Sequence, residues 1–392
     1  MTKTKESRHS TLYRAYRPQE WGEVRGQEHV VRVLQAAIQN KKIAHAYLFS
    51  GGRGTGKTTV ARILAREIGV TQNDVYEIDG ASNTGVENIR EVREGANVLP
   101  LESPYKVYIV DEAHMLSRNA WNAFLKTLEE PPKHVIFILA TTERDKIPET
   151  VQSRCEIYSF KQPTREMLAQ TVVDVAKKEG YALERPASEL VALLAEGSFR
   201  DALGILQKVL AVSKDPNETG KPSHGAGKKI SEEEVELVSG APRAELIRTL
   251  LSAIAKKDAA AALATIEKAV SQNMDPRVLT KLLIHRMRVV LLMRFAPDIA
   301  ESLANEFGEA DVELARKLSK ESGVNSETLR ALLDAYGKMA YAAVPHLPLE
   351  LAVIDIAGRL QANQQTSRLG PNQQTSRLGP PPQPAAGANA GT

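Results

Sequence analysis

Through the first 160 residues, short unbroken apolar runs alternate with segments of helical period. The runs "AYLFS" (46–50), "VYEID" (75–79), "KVYIVD" (106–111), "VIFILATT" (135–142) and "EIYSF" (156–160) are rich in Val, Ile and aromatics. Runs without polar alternation suit strands covered on both faces, as in a parallel sheet held between helices. Between them, "TTVARILAREIG" sets Val60, Ile63, Leu64 and Ile68 on one helical face and closes at Gly69, a plausible C-cap. "RNAWNAFLKTLEEPP" does likewise with Trp121, Phe124, Leu125 and Leu128, then stops at Pro131 and Pro132. Strand–helix alternation of this kind predicts an α/β doubly wound core.

Beyond about residue 162 the strand signal ends. "TREMLAQTVVDVAKKEG", "ERPASELVALLAEG" and "FRDALGILQKVLAVSK" read as amphipathic helices, and "ISEEEVELVSG" as a short helix closing at Gly240. "SKDPNETGKPSHGAGKK" (213–229) is polar, carries Gly and Pro, and reads as a mobile loop. Residues 241–361 carry the period of about five further helices. A long one runs from Arg277 to Phe295, ahead of Pro297. Residues 363–392 hold "NQQTSRLGP" twice in tandem and then "PPQPAAGANAGT". So few apolar side chains cannot bury a core, which predicts disorder there. The pattern divides the chain into an α/β part, 1–161, a helical part, 162–240, a second helical part, 241–361, and a tail, 362–392.

Composition narrows the function classes. At 392 residues the chain is long enough for two or three domains, each with its own core. Its 51 basic and 48 acidic residues leave a formal net charge of +3, so any contact with DNA has to come from local clustering. The single cysteine, Cys155, excludes an intramolecular disulfide and a multi-cysteine metal site, and accords with a reducing cytoplasm. "MTKTKESRHSTLYRAYRP" lacks the apolar centre of a signal peptide, and no run approaches the ~18 apolar residues of a membrane span.

The chemistry concentrates in four short motifs. "GGRGTGKTTV" satisfies G-x-x-x-x-G-K-[ST] between a strand and a helix, through Gly51, Gly56, Lys57 and Thr58. Glycines let backbone N–H groups curl around phosphate oxygens, Lys57 reaches the β and γ phosphates, and Thr58 is placed to ligate Mg²⁺. Asp111 and Glu112 end the apolar run "VYIV". At a buried strand tip they face the nucleotide, Asp111 in the Mg²⁺ shell and Glu112 on the attacking water. His114 reads as a packing or hydrogen-bonding residue and is given no catalytic role. Thr142 in "LATT" either holds the lytic water or γ-phosphate, or simply caps a turn. Arg154 in "SRC" and Arg200 in "EGSFRDAL" read by themselves as surface charges as readily as functional ones.

Several segments then come in a fixed order: "YRAYRPQEWGEVRGQEHVVRVLQAAI", "HAYLFSGGRGTGKTTVARILA", "EIDGASNTGVENIREV", "KVYIVDEAHMLSRNAWNAFLKTLEEPP", "FILATT", "QSRCEIYSF" and "EGSFRDAL". Together, over roughly residues 12–205, they closely resemble the gamma/tau ATPase subunit family of bacterial DNA polymerase III clamp loaders, in the AAA+ superfamily. Residues 241–361 match that family only in length and helical character. The resemblance implies an α/β AAA+ P-loop core at 1–161, a small helical lid at 162–240, an all-α collar for oligomerisation at 241–361, and a disordered low-complexity tail. It implies an ATP- and Mg²⁺-dependent motor subunit of the polymerase holoenzyme that opens a sliding clamp and loads it on primer–template DNA. The implied partners are other clamp-loader subunits in a ring-like hetero-oligomer, the clamp and the DNA, at a cytoplasmic, nucleoid-associated replisome and not at a membrane.

Carried over by position, Arg17, Pro18 and the "RGQEHV" stretch around Gln27 resemble the adenine-side pocket. Gly51, Gly52, Arg53, Gly54, Thr55, Gly56, Lys57, Thr58 and Thr59 resemble the phosphate loop. Thr58 and Asp111 are then the Mg²⁺ ligands, Glu112 the water-activating residue and Thr142 the sensor. Arg154 resembles an arginine finger that reaches the neighbouring subunit's site, and Arg200 a lid arginine on the γ-phosphate of its own. The family's four-cysteine zinc module has no counterpart in "AREIGVTQNDVYEIDG", so zinc is not expected. Arg90 and the segment through "EGANVLPLESPYK" fall where the family meets clamp and DNA, although a solvated helix face is the default for Arg90 and Arg93. Three alternatives compete with this reading. A DEAH-type helicase needs a second α/β domain that the helical pattern after residue 162 does not supply. Another AAA+ machine, a Holliday-junction motor or a small subunit like those of replication factor C, shares "SRC" but lacks "YRAYRP". A stator with a dead site is disfavoured by the intact Gly56–Lys57–Thr58 and Asp111–Glu112.

Overall fold

The structure, a computed structural model, describes residues 11–213, 228–304, 309–321 and 323–368. The chain forms two compact units, one through Ser239 and one from Gly240.

The first unit opens with α1 (Leu12–Ala15), α2 (Glu28–Gln39), β1 (Ala46–Ser50), α3 (Lys57–Glu67) and β2 (Val75–Asp79). It continues through α4 (Val86–Ala96), β3 (Lys106–Asp111), α5 (Arg118–Glu129), β4 (Val135–Thr141), α6 (Glu149–Gln152) and β5 (Glu156–Ser159). The strands lie in the order β2-β3-β4-β1-β5, all parallel. β1 and β4 are buried along their whole length, and β3 through Val110, as unbroken apolar runs require. The edge strands β2 and β5 are half exposed, though Ile78 of β2 still packs on one core layer and Val75 on the other.

Side-chain alternation splits the core into two layers. Leu48, Val110, Phe137 and Leu139 meet Ile89, Val92, Trp121 and Phe124 of α4 and α5. Tyr47, Phe49, Ile109 and Ile138 meet Val30, Leu34, Val60 and Leu64 of α2 and α3 on the other face. Each period-2 strand thus feeds both helix layers. Ser117 caps α5 by accepting from Ala120 N, and α5 ends before Pro131 as the sequence predicts. Cys155 packs beneath this core, and burial pushes its thiol up to about 12.

After β5 come α7 (Arg165–Lys178), β6 (Tyr181–Leu183), α8 (Arg185–Leu194), α9 (Phe199–Val212), β7 (Lys228–Ile230) and α10 (Glu232–Ser239). The helices fall where their periods place them. The two strands correct the expectation that strands end near residue 162: β6 and β7 pair in parallel, Tyr181 with Lys228 and Leu183 with Ile230. Three-residue strands are too short to carry a period, which is why the pattern misses them. The expected mobile loop, 213–229, lies outside the described residues from 214 to 227, and its end belongs to β7.

The second unit is helical among its described residues: α11 (Ala244–Lys256), α12 (Ala259–Ser271), α13 (Pro276–Phe295), α14 (Pro297–Ala304), α15 (Glu309–Leu318), α16 (Ser326–Lys338) and α17 (Leu347–Arg368). Short helices such as α14 and α15 take it past the five expected. Ile254, Ile266, Leu283, Met287, Leu332 and Val353 are buried in it. A buried ion cluster sits among them, Asp311 accepting from Arg248 at 3.1 Å and from Arg286 at 2.8 and 3.0 Å. Arg294 closes the C-terminal end of α15, donating to the carbonyls of Ser319, Val324, Leu318 and Glu321. The expected disorder from 363 onward is corrected through 368, where the backbone stays helical. No Gly or Pro falls between Gly358 and Gly370 to interrupt it. The rest of the tail lies outside the described residues. Among those residues, no helix is long and apolar enough to cross a membrane.

Candidate nucleotide-binding site

Parallel pairing puts the C-terminal tips of β1, β3 and β4 along one edge of the sheet. Ser50 is in register with Thr141, and Asp79 with Asp111. The turn 51–56 and the acidic pair therefore converge by topology alone. Gly56, at φ 103°, precedes the first residue of α3 in a backbone state that a β-carbon disfavours. This turn aims the free N–H groups of the first α3 turn at the space beside it.

Lys57 is 6% exposed, and its Nζ donates to the carbonyls of Gly51 at 2.8 Å and Gly52 at 2.9 Å. Burial holds its ammonium below the ordinary lysine value, with Arg200 acting in the same sense and Glu112 and Asp111 opposing. Thr58 Oγ1 donates to Asp111 Oδ2 at 2.8 Å, so the loop hydroxyl and the strand-tip carboxylate share one point. Asp111 Oδ1 accepts from Glu112 N at 3.0 Å, and Glu112 itself takes a left-handed backbone, φ 46° and ψ 44°.

A cavity of about 740 Å³ opens over these groups, within the size range of small-ligand sites. Arg53 through Thr59, Asp111, Glu112, Arg17, Pro18 and Arg200 all border it. Arg200 comes from the first turn of α9, with its guanidinium 5.8 Å from the Tyr13 ring centroid. Burial, then Arg62 and Arg200, lower the pKa of Arg17.

Other expected residues stand elsewhere. Gly51 and Gly52 do not border the cavity but hold Lys57 from behind. Gln27 does not border the cavity. It is fully buried, donates to Lys161 O at 2.7 Å and Thr55 O at 3.4 Å, and accepts from Lys161 N at 3.1 Å. Its position braces the loop instead. Thr142 lies just past β4, its Oγ1 donating to Glu112 Oε2 at 3.4 Å. Arg154 is away from the cavity of its own chain, bonded to Glu129 Oε1 at 2.6 Å and to Thr150 O at 2.6 Å.

Arg25, at the start of the "RGQEHV" stretch, does border the cavity. Sequence reasoning missed the rest of its far wall: Tyr13, Tyr16 and Val24 approach from the N-terminal segment, and Thr171, Asp174, Val175 and Lys178 from one face of α7. Arg25 joins the two, with an ion pair to Asp174 at 2.7 Å and a bond to Thr171 Oγ1 at 3.2 Å. The spacing 171, 174, 175, 178 marks a helical face, but in sequence that face is indistinguishable from a solvated one.

A parallel sheet whose P-loop and acidic strand tip share a cavity, with a helical segment bringing its own arginine to the rim, makes this a P-loop module of the AAA+ class. Residues 26–83 and 70–164 match the family "DNA polymerase III, delta subunit", and residues 230–368 match "DNA polymerase III subunits gamma and tau domain III". The tau subunit of DNA polymerase III from Bacillus subtilis is 37% identical over 373 residues, covering 89% of this chain and 63% of that one. The Escherichia coli tau subunit is 33% identical over 334 residues, covering 79% and 50% respectively. Among solved structures, the Thermotoga maritima RuvB Holliday junction branch migration motor aligns at 23% identity and a TM-score of 0.47, covering 61% of this chain and 79% of that one. The chain belongs to the gamma/tau family of DNA polymerase III subunits. It spans less than two thirds of the length of these two tau relatives.

Proposed function

We propose that the chain is an ATP-hydrolysing motor subunit of a replicative clamp loader, which opens a sliding clamp and releases it on primer–template DNA. The observation that carries this is the Thr58–Asp111 contact at 2.8 Å, made beside the P-loop lysine in a chain of the gamma/tau family. The three divisions of the chain then act as an AAA+ core at 1–161, a lid at 162–240 and a collar at 241–361. Its place is a cytoplasmic replisome with other clamp-loader subunits.

In this reading ATP lies in the 740 Å³ cavity with its base toward Arg17, Pro18 and α7. Its phosphates meet the N–H groups of the loop and the Lys57 ammonium. Thr58 and Asp111 offer a hydroxyl and a carboxylate at one point, the hard oxygen set that Mg²⁺ takes. When bound there, Mg²⁺ neutralises charge on the β and γ oxygens. Glu112 orients and deprotonates the attacking water, and Thr142 holds the carboxylate of Glu112 from the β4 side. Arg200 stabilises the γ-phosphoryl within its own chain. Arg154 acts on a neighbouring subunit's nucleotide, so turnover waits for assembly.

The test is ATP hydrolysis by the chain with its partner subunits, with and without clamp and primed DNA. Lys57→Ala abolishes nucleotide binding, whereas Glu112→Gln binds ATP and keeps only a small residual turnover. Hydrolysis that clamp and primed DNA leave unstimulated refutes the clamp-loading role.

A further inference from the structure

His114 takes no part in the chemistry above, yet it is buried within the site. Its side chain is 8% exposed, in the short turn that follows β3. Nδ1 lies 3.1 Å from Thr141 Oγ1 and 3.4 Å from Glu112 Oε2, while Nε2 lies 3.4 Å from Glu143 Oε1. The imidazole therefore spans the gap between the β3 and β4 tips, with one ring nitrogen toward each carboxylate. Its far side is anchored in turn: Glu143 N donates to Thr141 Oγ1 at 3.0 Å, and Lys146 holds the Glu143 carboxylate at 2.9 Å.

The backbone at Glu112 is already fixed. Its left-handed conformation is backed by Gly80, where a β-carbon would lie 2.7 Å from Glu112 O and 2.9 Å from Asp111 O. The side chain is a different matter. The Glu112 carboxylate sits on three rotatable bonds and is 34% exposed, so backbone constraint alone does not aim it. Two neighbours do so, and both fall on the same oxygen: Thr142 Oγ1 donates to Oε2, and His114 Nδ1, itself hydrogen-bonded to Thr141 Oγ1, lies at ion-pair distance from it. This leaves Oε1 for a water.

We propose that His114 is a positioning residue for Glu112: its imidazole, braced on Glu143, holds Oε2 and so keeps Oε1 toward the attacking water. The proposal rests on the reading of the chain as an ATPase in which Glu112 activates water. It requires His114 to affect the chemical step and not the binding of nucleotide, since among the described residues its hydrogen bond and ion pairs go to Thr141, Glu112 and Glu143 and not to the loop.

The experiment uses the full chain assembled with its partner subunits, and measures kcat and KM for ATP together with equilibrium binding of a fluorescent ATP analogue. His114→Ala lowers kcat by at least about tenfold and changes analogue affinity by less than about twofold. His114→Asn places an amide near the position of Nδ1, and His114→Gln one near Nε2, so the Asn variant retains the higher kcat. In a Glu112→Gln background, His114→Ala changes the residual rate by less than about twofold, because the group it orients is gone. A wild-type kcat in His114→Ala, an equal loss in both backgrounds, or a Gln variant as active as the Asn variant overturns the proposal. If His114→Ala does not fold, the Asn and Gln order decides. When Lys57→Ala and Glu112→Gln behave as an ATPase requires and the His114 variants are neutral, the positioning role alone falls. When Lys57→Ala binds the analogue as the wild type does, the ATPase reading falls and the positioning role with it.

Discussion

Gly54→Ala is a small perturbation with a large expected effect, because two separate constraints meet at that residue. Gly54 has φ 70°, and a β-carbon there would stand 2.8 Å from Ser198 Cβ and closer still to its hydroxyl. Ser198 is 3% exposed and caps α9 by accepting from Asp201 N at 3.2 Å, so it has little room to retreat. Phe199 N donates to Gly54 O at 3.1 Å, which ties the loop to the same helix start. The left-handed backbone costs an alanine about 1 kcal/mol, and forcing a methyl into packed surroundings costs about 1–3 kcal/mol more. For a unit of this size, that sum of about 2–4 kcal/mol lowers the melting temperature by roughly 5–15 °C. Calorimetry of the first unit's transition in the full chain reads this directly. Ser198→Gly removes the two nearest atoms and leaves only Cα, at 3.2 Å, while glycine remains an acceptable N-cap. In that background Gly54→Ala should keep only its backbone part, so the two losses differ by about 1–3 kcal/mol. Equal losses in both backgrounds would refute the steric half of the argument. A displaced α9 start also moves Arg200, so ATP affinity falls in Gly54→Ala and returns in the double variant.

Two further predictions concern groups outside the cavity. Arg154→Ala leaves ATP binding within about twofold but lowers hydrolysis by the assembled oligomer at least about a hundredfold, measured by phosphate release; normal turnover excludes a finger acting in trans. Asp74 is fully buried and accepts from the backbone N–H groups of Leu101 at 2.6 Å, Glu102 at 3.0 Å and Ser103 at 2.9 Å. Desolvation raises its pKa, but these bonds outweigh that, and the native value lies below 3.8. Its stabilising contribution is therefore full above that pH and lost as the pH falls through the lower native value. Urea midpoints should put the wild type above Asp74→Asn at pH 6, with the gap closing below pH 3.8; a constant gap counts against the assignment.

Much of the first unit is legible because its signals are local and redundant. Unbroken apolar runs mark β1, β3 and β4, and the loop motif lies between a strand and a helix that each announce themselves. What escapes the sequence is whatever depends on distance along the chain. β6 and β7 are three residues each and are recognisable only once paired. Gln27 braces a loop 28 residues away through Thr55 and a strand exit 134 residues away through Lys161, contacts that no spacing encodes. His114 sits inside a recognisable motif, but its partners Thr141 and Glu143 arrive with another strand. The far wall of the cavity belongs to α7, whose polar stripe matches any solvated helix.

The loop's surroundings bear on how binding energy is used. Gln27 braces Thr55 and Lys161 from beneath, and α9 bonds Gly54 from the side, so the loop has little freedom to reshape around a phosphate. On the proposed reading, the group that moves is Lys57 Nζ, which would exchange the carbonyls of Gly51 and Gly52 for phosphate oxygens. A rigid loop loses little conformational entropy on binding, so the interaction energy is not consumed in ordering it. That energy is then available to the elements attached to the loop by few bonds, and α9 is the one that also carries Arg200. If the proposed role of Arg200 holds, a γ-phosphate that attracts it pulls on the helix start already bonded to Gly54, so α9 would sense the nucleotide through both a charge and a backbone bond. Loss of the γ-phosphate removes the charge and leaves the backbone bond. On this argument the segment relaxes after hydrolysis without leaving the loop, which makes Arg200→Ala a variant that still binds ATP but no longer distinguishes it sharply from ADP.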